Sequence, residues 1–425
     1  MLLQAVHEEK DRIGEILSRS KIPELAPVFV RCYPVTAQTT VETAGKADSF
    51  LITGDIPAMW LRDSTAQVRH YLALAARDGE TADFIEGLSH RQFFCVEHDP
   101  YANAFNREPT GRHCCDRDNC DDPLVWERKY EVDSLCAPVE LAYALWKATG
   151  RTGQFDGRFF RGIGRILDLW EAEQRHGNSP YTFVRPDTKP HDTLSHGGLG
   201  APVGYTGMTW SGFRPSDDGC VYGYLIPSNL FAATALSKMA EIAEAIRSDA
   251  ALAARARRLQ GEIVAGVLNF GVVNHEKFGK MYAYETDGLG HFVLQDDANV
   301  PSLLSIPYLG FGSAQDELYE NTRRFVLSGE NPFFFSGRHA CGVGSPHTPR
   351  GYVWPIALCM QGLTSRDPDE QRRLLRILAS THDGTLLMHE SFDADQPSRY
   401  TRPWFAWACS LFCEFVQHCL AQGIL

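Results

Sequence analysis

The sequence predicts an all-α fold, a toroid of six inner and six outer helices with small β pieces at one end. Three observations carry that expectation. Six loops dense in carboxylates, arginines and aromatics each run straight into an apolar helical stretch. Between them lie six amphipathic helical patterns, so the two kinds alternate through the whole chain. Strand signals are few, the best being Val28–Tyr33 and Met281–Tyr284.

The outer set is expected at 1–20, 84–98, 159–175, 249–269, 314–327 and 370–380, each with one apolar stripe among charges. The inner set is expected to start near Thr65, Ser134, Ile226, Val300, Tyr352 and Trp404. Its last member, Phe405-Ala-Trp-Ala-Cys409 followed by Leu411 and Phe412, is apolar all round, as a buried helix requires. Pro227, Pro301, Pro355 and Pro403 stand at or near inner starts, where a missing N–H costs least. The loops are spaced from about 80 residues apart early to about 50 late, so no fixed-period solenoid is present. No Pro/Ser/Gly linker interrupts the 425 residues, and residues 1–425 are read as one catalytic domain.

Composition narrows the function. A net charge of −12 with no Lys/Arg-rich run argues against a nucleic-acid partner. No stretch approaches 18 apolar residues, so no membrane span is expected. Residues 1–20 lack the unbroken apolar region of a signal peptide, and twelve cysteines then read as thiols of a reducing compartment, which predicts a cytoplasmic protein. Secretion stays open if the N-terminus has been trimmed. An aromatic content of 11% suits a site with flat apolar platforms, as sugars need.

Six loops at like ends of six helices converge on one pocket, and such loops carry chemistry on a rigid scaffold. The first, Gly54–Ser64, places Asp55, Trp60, Arg62 and Asp63 in one turn-rich stretch fit to grip hydroxyls. The second, Trp126–Asp133, mixes both charges, half of it expected as a solvated or capping face. The third, Trp210–Asp218, holds Arg214 and the adjacent acids Asp217 and Asp218, of which one should face the pocket. The fourth is Gln295–Asn299. The fifth, Ser336–Gly351, brings Arg338, His339, His347 and Arg350 ahead of Trp354. The sixth, His389–Arg402, sets Glu390 among His389, Phe392 and Tyr400, with Arg402 at its end. Glycosidic cleavage needs one protonated and one ionised carboxyl across a sugar ring, and distant loops can supply them. Each acid could equally be an ordinary cap or turn carboxylate.

Residues 112–120 cluster one His, three Cys and two Asp, but no second pair follows at zinc-site spacing. Neither a phosphate-cradling Gly-rich loop, a Gly-x-Ser-x-Gly elbow nor a His-Glu-x-x-His helix occurs.

The run Thr53-Gly-Asp-Ile-Pro-Ala-Met-Trp-Leu-Arg-Asp-Ser-Thr-Ala-Gln-Val68 closely resembles a hallmark of glycoside hydrolase family 125. Ser211-Gly-Phe-Arg-Pro-Ser-Asp-Asp218 and Met388-His-Glu-Ser-Phe392 resemble two more. The resemblance implies an (α/α)6 barrel and an inverting exo-α-1,6-mannosidase acting on an oligosaccharide, with no metal and no cofactor. It also implies a general acid within Ser216-Asp-Asp218, Asp217 being favoured over Asp218, and Glu390 as general base. Asp55, Trp60, Arg62, Asp63, Arg214, Arg338, His347, Arg350, Trp354 and Arg402 are the candidate substrate-binding residues. The cysteine-rich 114–120 stretch falls outside the family pattern. A glucoside-specific barrel or a non-catalytic mannose-binding relative are the alternatives, since fold does not fix function.

Overall fold

The computed structural model describes residues 2–425, and they form an (α/α)6 barrel. The outer helices are Leu2–Ser18, Gly79–His98, Gly157–Glu173, Ala250–Phe270, Glu317–Val326 and Pro368–Ser380. Four of them start on an Asp whose side chain accepts a first-turn N–H: Asp78, Asp156, Asp249 and Asp367. The inner elements are Leu61–Ala66 continued by Arg69–Ala75, then Val132–Thr149, Ile226–Arg247, residues 300–312, Pro355–Leu363 and Ala406–Ala421. All six inner elements line one small central cavity, through residues including Arg62, Glu140, Phe231, Tyr308, Met360 and Trp407. One hydrophobic core runs from Val6 to Ile424.

The inner helices lack side-chain N-caps and start from short strands instead. Trp60, Leu225 and Trp354 are extended residues immediately ahead of a first turn. Their positive N-terminal ends therefore face the strand end of the barrel, where Asp63 and Asp133 sit in first turns.

Two expectations fail. Residues 300–312 form successive turns rather than a helix, although Leu303, Leu304, Ile306 and Leu309 are buried as predicted. Pro301 and Pro307 remove two donors, Gly310 and Gly312 adopt positive φ, and the Asp296 carboxylate takes the Leu303 and Leu304 N–H groups at 2.8 and 3.0 Å. The Val28–Tyr33 strand is also wrong, because Leu25–Cys32 is a helix. Leu25, Val28, Phe29 and Cys32 are its buried residues, the i, i+3, i+4, i+7 set of a helix face, so burial overrides β-propensity. The second strand lies two residues early, at Gly279–Tyr282, hairpinned with Val272–His275.

The small strands tie the loops together. Met59–Trp60, Ala104–Phe105 and Val125–Glu127 form one antiparallel sheet, and Tyr352–Val353, Ser391–Asp393 and Tyr400–Thr401 another. Among the described residues no helix is long and apolar enough to cross a membrane.

Candidate active site

One pocket at the strand end gathers residues from all loops but the second: Trp60, Arg62 and Asp63 from the first, Asp217 from the third, Asn299 from the fourth, His347 and Trp354 from the fifth, Glu390 and Arg402 from the sixth. Thr53, Ile56, Pro215, Ser216, Phe405 and Trp407 complete its lining.

The third loop is pinned from beneath by the second. The Tyr130 carbonyl accepts from the Gly212 and Phe213 N–H groups at 3.1 and 3.0 Å, and Lys129 Nζ donates to the Asp217 carbonyl at 2.7 Å. A tight turn, with Arg214 N–H on the Asp218 carbonyl and Asp217 N–H on that of Arg214, leaves Asp217 at φ +66°. Left-handed backbone at a non-glycine residue is costly and persists where surroundings impose it. Its effect is to turn the Asp217 carboxyl into the pocket, 30% exposed, while the Asp218 carboxyl is 4% exposed and points at His347 Nδ1, 3.1 Å away.

Arg62 organises the floor. Its guanidinium meets four carboxyls, those of Glu131 at 2.6 Å, Asp133 at 3.1 Å, Asp63 at 3.3 Å and Asp217 at 3.6 Å. Burial acts to raise all four; it wins at Asp63, which is pushed up to about 6 against the pull of Arg62. At Asp217 the upward push of burial is outweighed by Arg62 and Lys129, which hold it below the usual carboxylate range. Asp63 Oδ2 is buried 3.3 Å from Arg62 Nη2 and makes no hydrogen bond.

Glu390 enters from the sixth loop, immediately ahead of the 391–393 strand of the 352–353/391–393/400–401 sheet. Arg402, at φ +39°, reaches back to it at 3.5 Å and also grips Asp55. His347 is held protonated up to about 9: burial would lower it, but the hydrogen bond and charge of Asp218 prevail. The apolar walls are Trp60, Trp354, Phe405 and Trp407, each nearly fully buried.

Five predicted residues lie outside this lining: Asp55, held by Arg402, Asp218, turned to His347, and three arginines. Arg214 is committed to buried Glu285 at 2.5 Å and packs over the Tyr284 ring. Arg338 is 80% exposed and reaches only Asp395, at 3.6 Å, and Arg350 is exposed on its loop. The second loop, in contrast, is far from solvated: Glu131 and Asp133 are wholly buried on Arg62. An Arg followed by Asp in one loop and two more acids opening the next helix was the signal for that cluster, unreadable without knowing that the loops touch. The 114–120 stretch folds over neighbouring loops, with Asp118 on Arg185 at 2.6 Å and Asn119 on the Thr182 carbonyl. Among the described residues no group of three or more His, Cys, Asp or Glu side chains is arranged to hold a metal ion.

Comparison with known proteins bears on this geometry. The model of the family described as metal-independent alpha-mannosidase (GH125) matches residues 23–417. A Streptococcus pneumoniae structure from a family of metal-independent alpha mannosidases, in a non-productive substrate complex with alpha-1,6-mannobiose, is 50% identical. It superposes with a TM-score of 0.96 over 98% of each chain. The Meiotically up-regulated gene 157 protein of Schizosaccharomyces pombe is 38% identical over 428 residues, covering 95% of this chain and 84% of that protein. A glucoamylase from Saccharomycopsis fibuligera shares the fold at 10% identity, TM-score 0.60, over 95% of each chain.

Proposed function

Since the chain belongs to glycoside hydrolase family 125, the metal-independent α-mannosidases, we propose that it is an inverting exo-α-1,6-mannosidase. In this reading the whole chain acts as one catalytic domain and takes terminal non-reducing mannose from α-mannosides, N-glycan branches or mannan. A cytoplasmic setting belongs to the same reading, in keeping with twelve free thiols.

The observation that carries the proposal is that Asp217 and Glu390, brought by loops remote in sequence, line one pocket with aromatic walls. Mannose enters with its hydroxyls toward Asp63 and Arg402 and its ring against Trp60 and Trp354. Asp217 protonates the glycosidic oxygen as the C1–O bond breaks. Glu390 takes a proton from a water that attacks C1 from the opposite face. Single displacement needs room for that water, so the two carboxyls are expected about 6.5–9.5 Å apart around a bound sugar. Arg62 offsets the negative charge left on Asp217, and closure of the pocket around the sugar strengthens that attraction.

The α-1,6 linkage is supported by the mannobiose held in the Streptococcus pneumoniae relative. Incubation with α-1,2-, α-1,3- and α-1,6-mannobiose and with the matching glucosides tests it. Release of mannose from the α-1,6 compound alone is expected. Glucoside cleavage would replace the substrate, and tight mannoside binding without turnover would replace the enzyme by a binding protein.

A further inference from the structure

Glu131 is a buried acid for which the catalytic steps above find no use. It precedes helix Val132–Thr149, and its carboxyl is fully enclosed. Oε2 accepts from Arg62 Nη1 at 2.6 Å and from the Ser134 hydroxyl at 2.7 Å. Oε1 is buried with no donor near it. An orphaned buried acceptor is destabilising unless it carries or receives a proton. The carboxyls of Glu131 and Asp217 sit on neighbouring nitrogens of one guanidinium, Nη1 at 2.6 Å and Nη2 at 3.6 Å. Two buried carboxyls gathered on one cation disfavour double ionisation, and a single shared proton relieves it.

The charge inventory agrees. Arg62 faces four carboxyls, and the other nearby cations have commitments of their own. Lys129 spans the Asp217 carbonyl and Asp192, His347 is taken by Asp218, and Arg402 by Asp55 and Glu390. Asn103 Nδ2 adds one neutral donor toward Asp217 at 3.4 Å. With Asp63, Glu131, Asp133 and Asp217 all ionised, three negative charges would stay unbalanced around Arg62, in a site where such groups neutralise instead.

We propose that Glu131 and Asp217 share a single proton, Glu131 being the positioning residue that stores it and hands it to Asp217 for delivery to the glycosidic oxygen. The inference rests on Asp217 being the acid. Burial raises Glu131 well above the carboxylate range while Asp217 is held low, so in the open pocket the proton rests on Glu131 Oε1. When a sugar displaces water from the exposed edge of Asp217, the charged form there loses solvation and the proton crosses. It then passes to the leaving oxygen, which takes the C1–O electron pair. Glu131 and Asp217 are left ionised on Arg62 until solvent returns a proton.

The test compares Glu131→Gln with wild type on α-1,6-mannobiose and on 2,4-dinitrophenyl α-mannoside, whose leaving group needs no proton. With the neighbouring charge gone, Asp217 becomes a stronger acid. The alkaline limb of kcat/KM for the disaccharide should move down by about one pH unit or more, with at least about a tenfold loss at pH 7. Turnover of the dinitrophenyl compound should stay within about threefold, and Glu131→Asp should restore part of the disaccharide rate. An unmoved limb with equal losses on both substrates would make Glu131 merely structural and overturn the proposal. If Glu131→Gln does not fold, Glu131→Asp is read by the same two criteria. Asp217→Asn, run in parallel, separates the premise: undiminished disaccharide hydrolysis there would reject Asp217 as acid rather than Glu131 as its partner.

Discussion

Replacing Arg62 by Met probes the pocket floor most directly, because it leaves Asp63, Glu131, Asp133 and Asp217 without their common cation. At an effective dielectric of about 20, the Asp133 contact at 3.1 Å is an attraction of about 5 kcal/mol. Dehydration of the guanidinium offsets much of this, and removing one partner from such a buried cluster nets about 3–5 kcal/mol. The loss should depend on pH. Without Arg62 the folded-state carboxyls of Asp63, Glu131 and Asp133 rise further above their unfolded values near about 4, and the protonated forms are the ones the interior tolerates. A group raised on folding contributes stability below its unfolded value and loses it as pH climbs through the folded one. Asp63 already reaches about 6 with Arg62 in place, so the window opens near about pH 4 and extends beyond 6. Urea unfolding at pH 8 should show the full deficit, and at pH 5 one smaller by at least about 1 kcal/mol. A deficit under about 1 kcal/mol, or one equal at both pH values, would refute the idea that Arg62 offsets the burial of these acids.

Glu390→Ala should lose about 10²–10⁴-fold in mannobiose hydrolysis, and added azide should restore turnover of an aryl α-mannoside with β-mannosyl azide as product; α-azide would place the vacated space on the wrong face. The His347 imidazole should titrate near about 9 by NMR and fall toward its ordinary value in Asp218→Asn, whereas a midpoint near 6.5 in the parent would remove the ion pair. Any stability it lends is present below its ordinary value and fades as pH rises through about 9. Gly362→Ala would put a Cβ about 2.1 Å from Phe415 Cζ at the crossing of two inner helices, with a loss of about 1–3 kcal/mol in urea midpoint analysis; an unchanged midpoint would show that the crossing yields freely.

The alternation of outer and inner elements and the converging loops were legible because burial writes a 3.6 period into each outer helix and an unbroken apolar run into each inner one. Residues 300–312 carry the same apolar content, and only the contact of Asp296 with the Leu303 and Leu304 N–H groups reveals that turns satisfy them. Asp217 and Asp218 were inseparable by sequence. Their difference lies in one positive φ, set by a turn locked onto the second loop. Arg214, Arg338 and Arg350 read as binding residues since loop position suggested it, but Glu285, 71 residues onward, claims the first, and the other two stand out in solvent. Glu131 stayed hidden for the converse reason: an acid in a loop of mixed charge looks like a solvated face until the fold closes over it.

The central claim is single displacement between Asp217 and Glu390, and proton NMR of the first minutes of α-1,6-mannobiose hydrolysis tests it most directly. The account predicts that β-mannose appears first and mutarotates to the equilibrium mixture. Initial α-mannose would contradict it, requiring a covalent intermediate and carboxyls only about 5 Å apart.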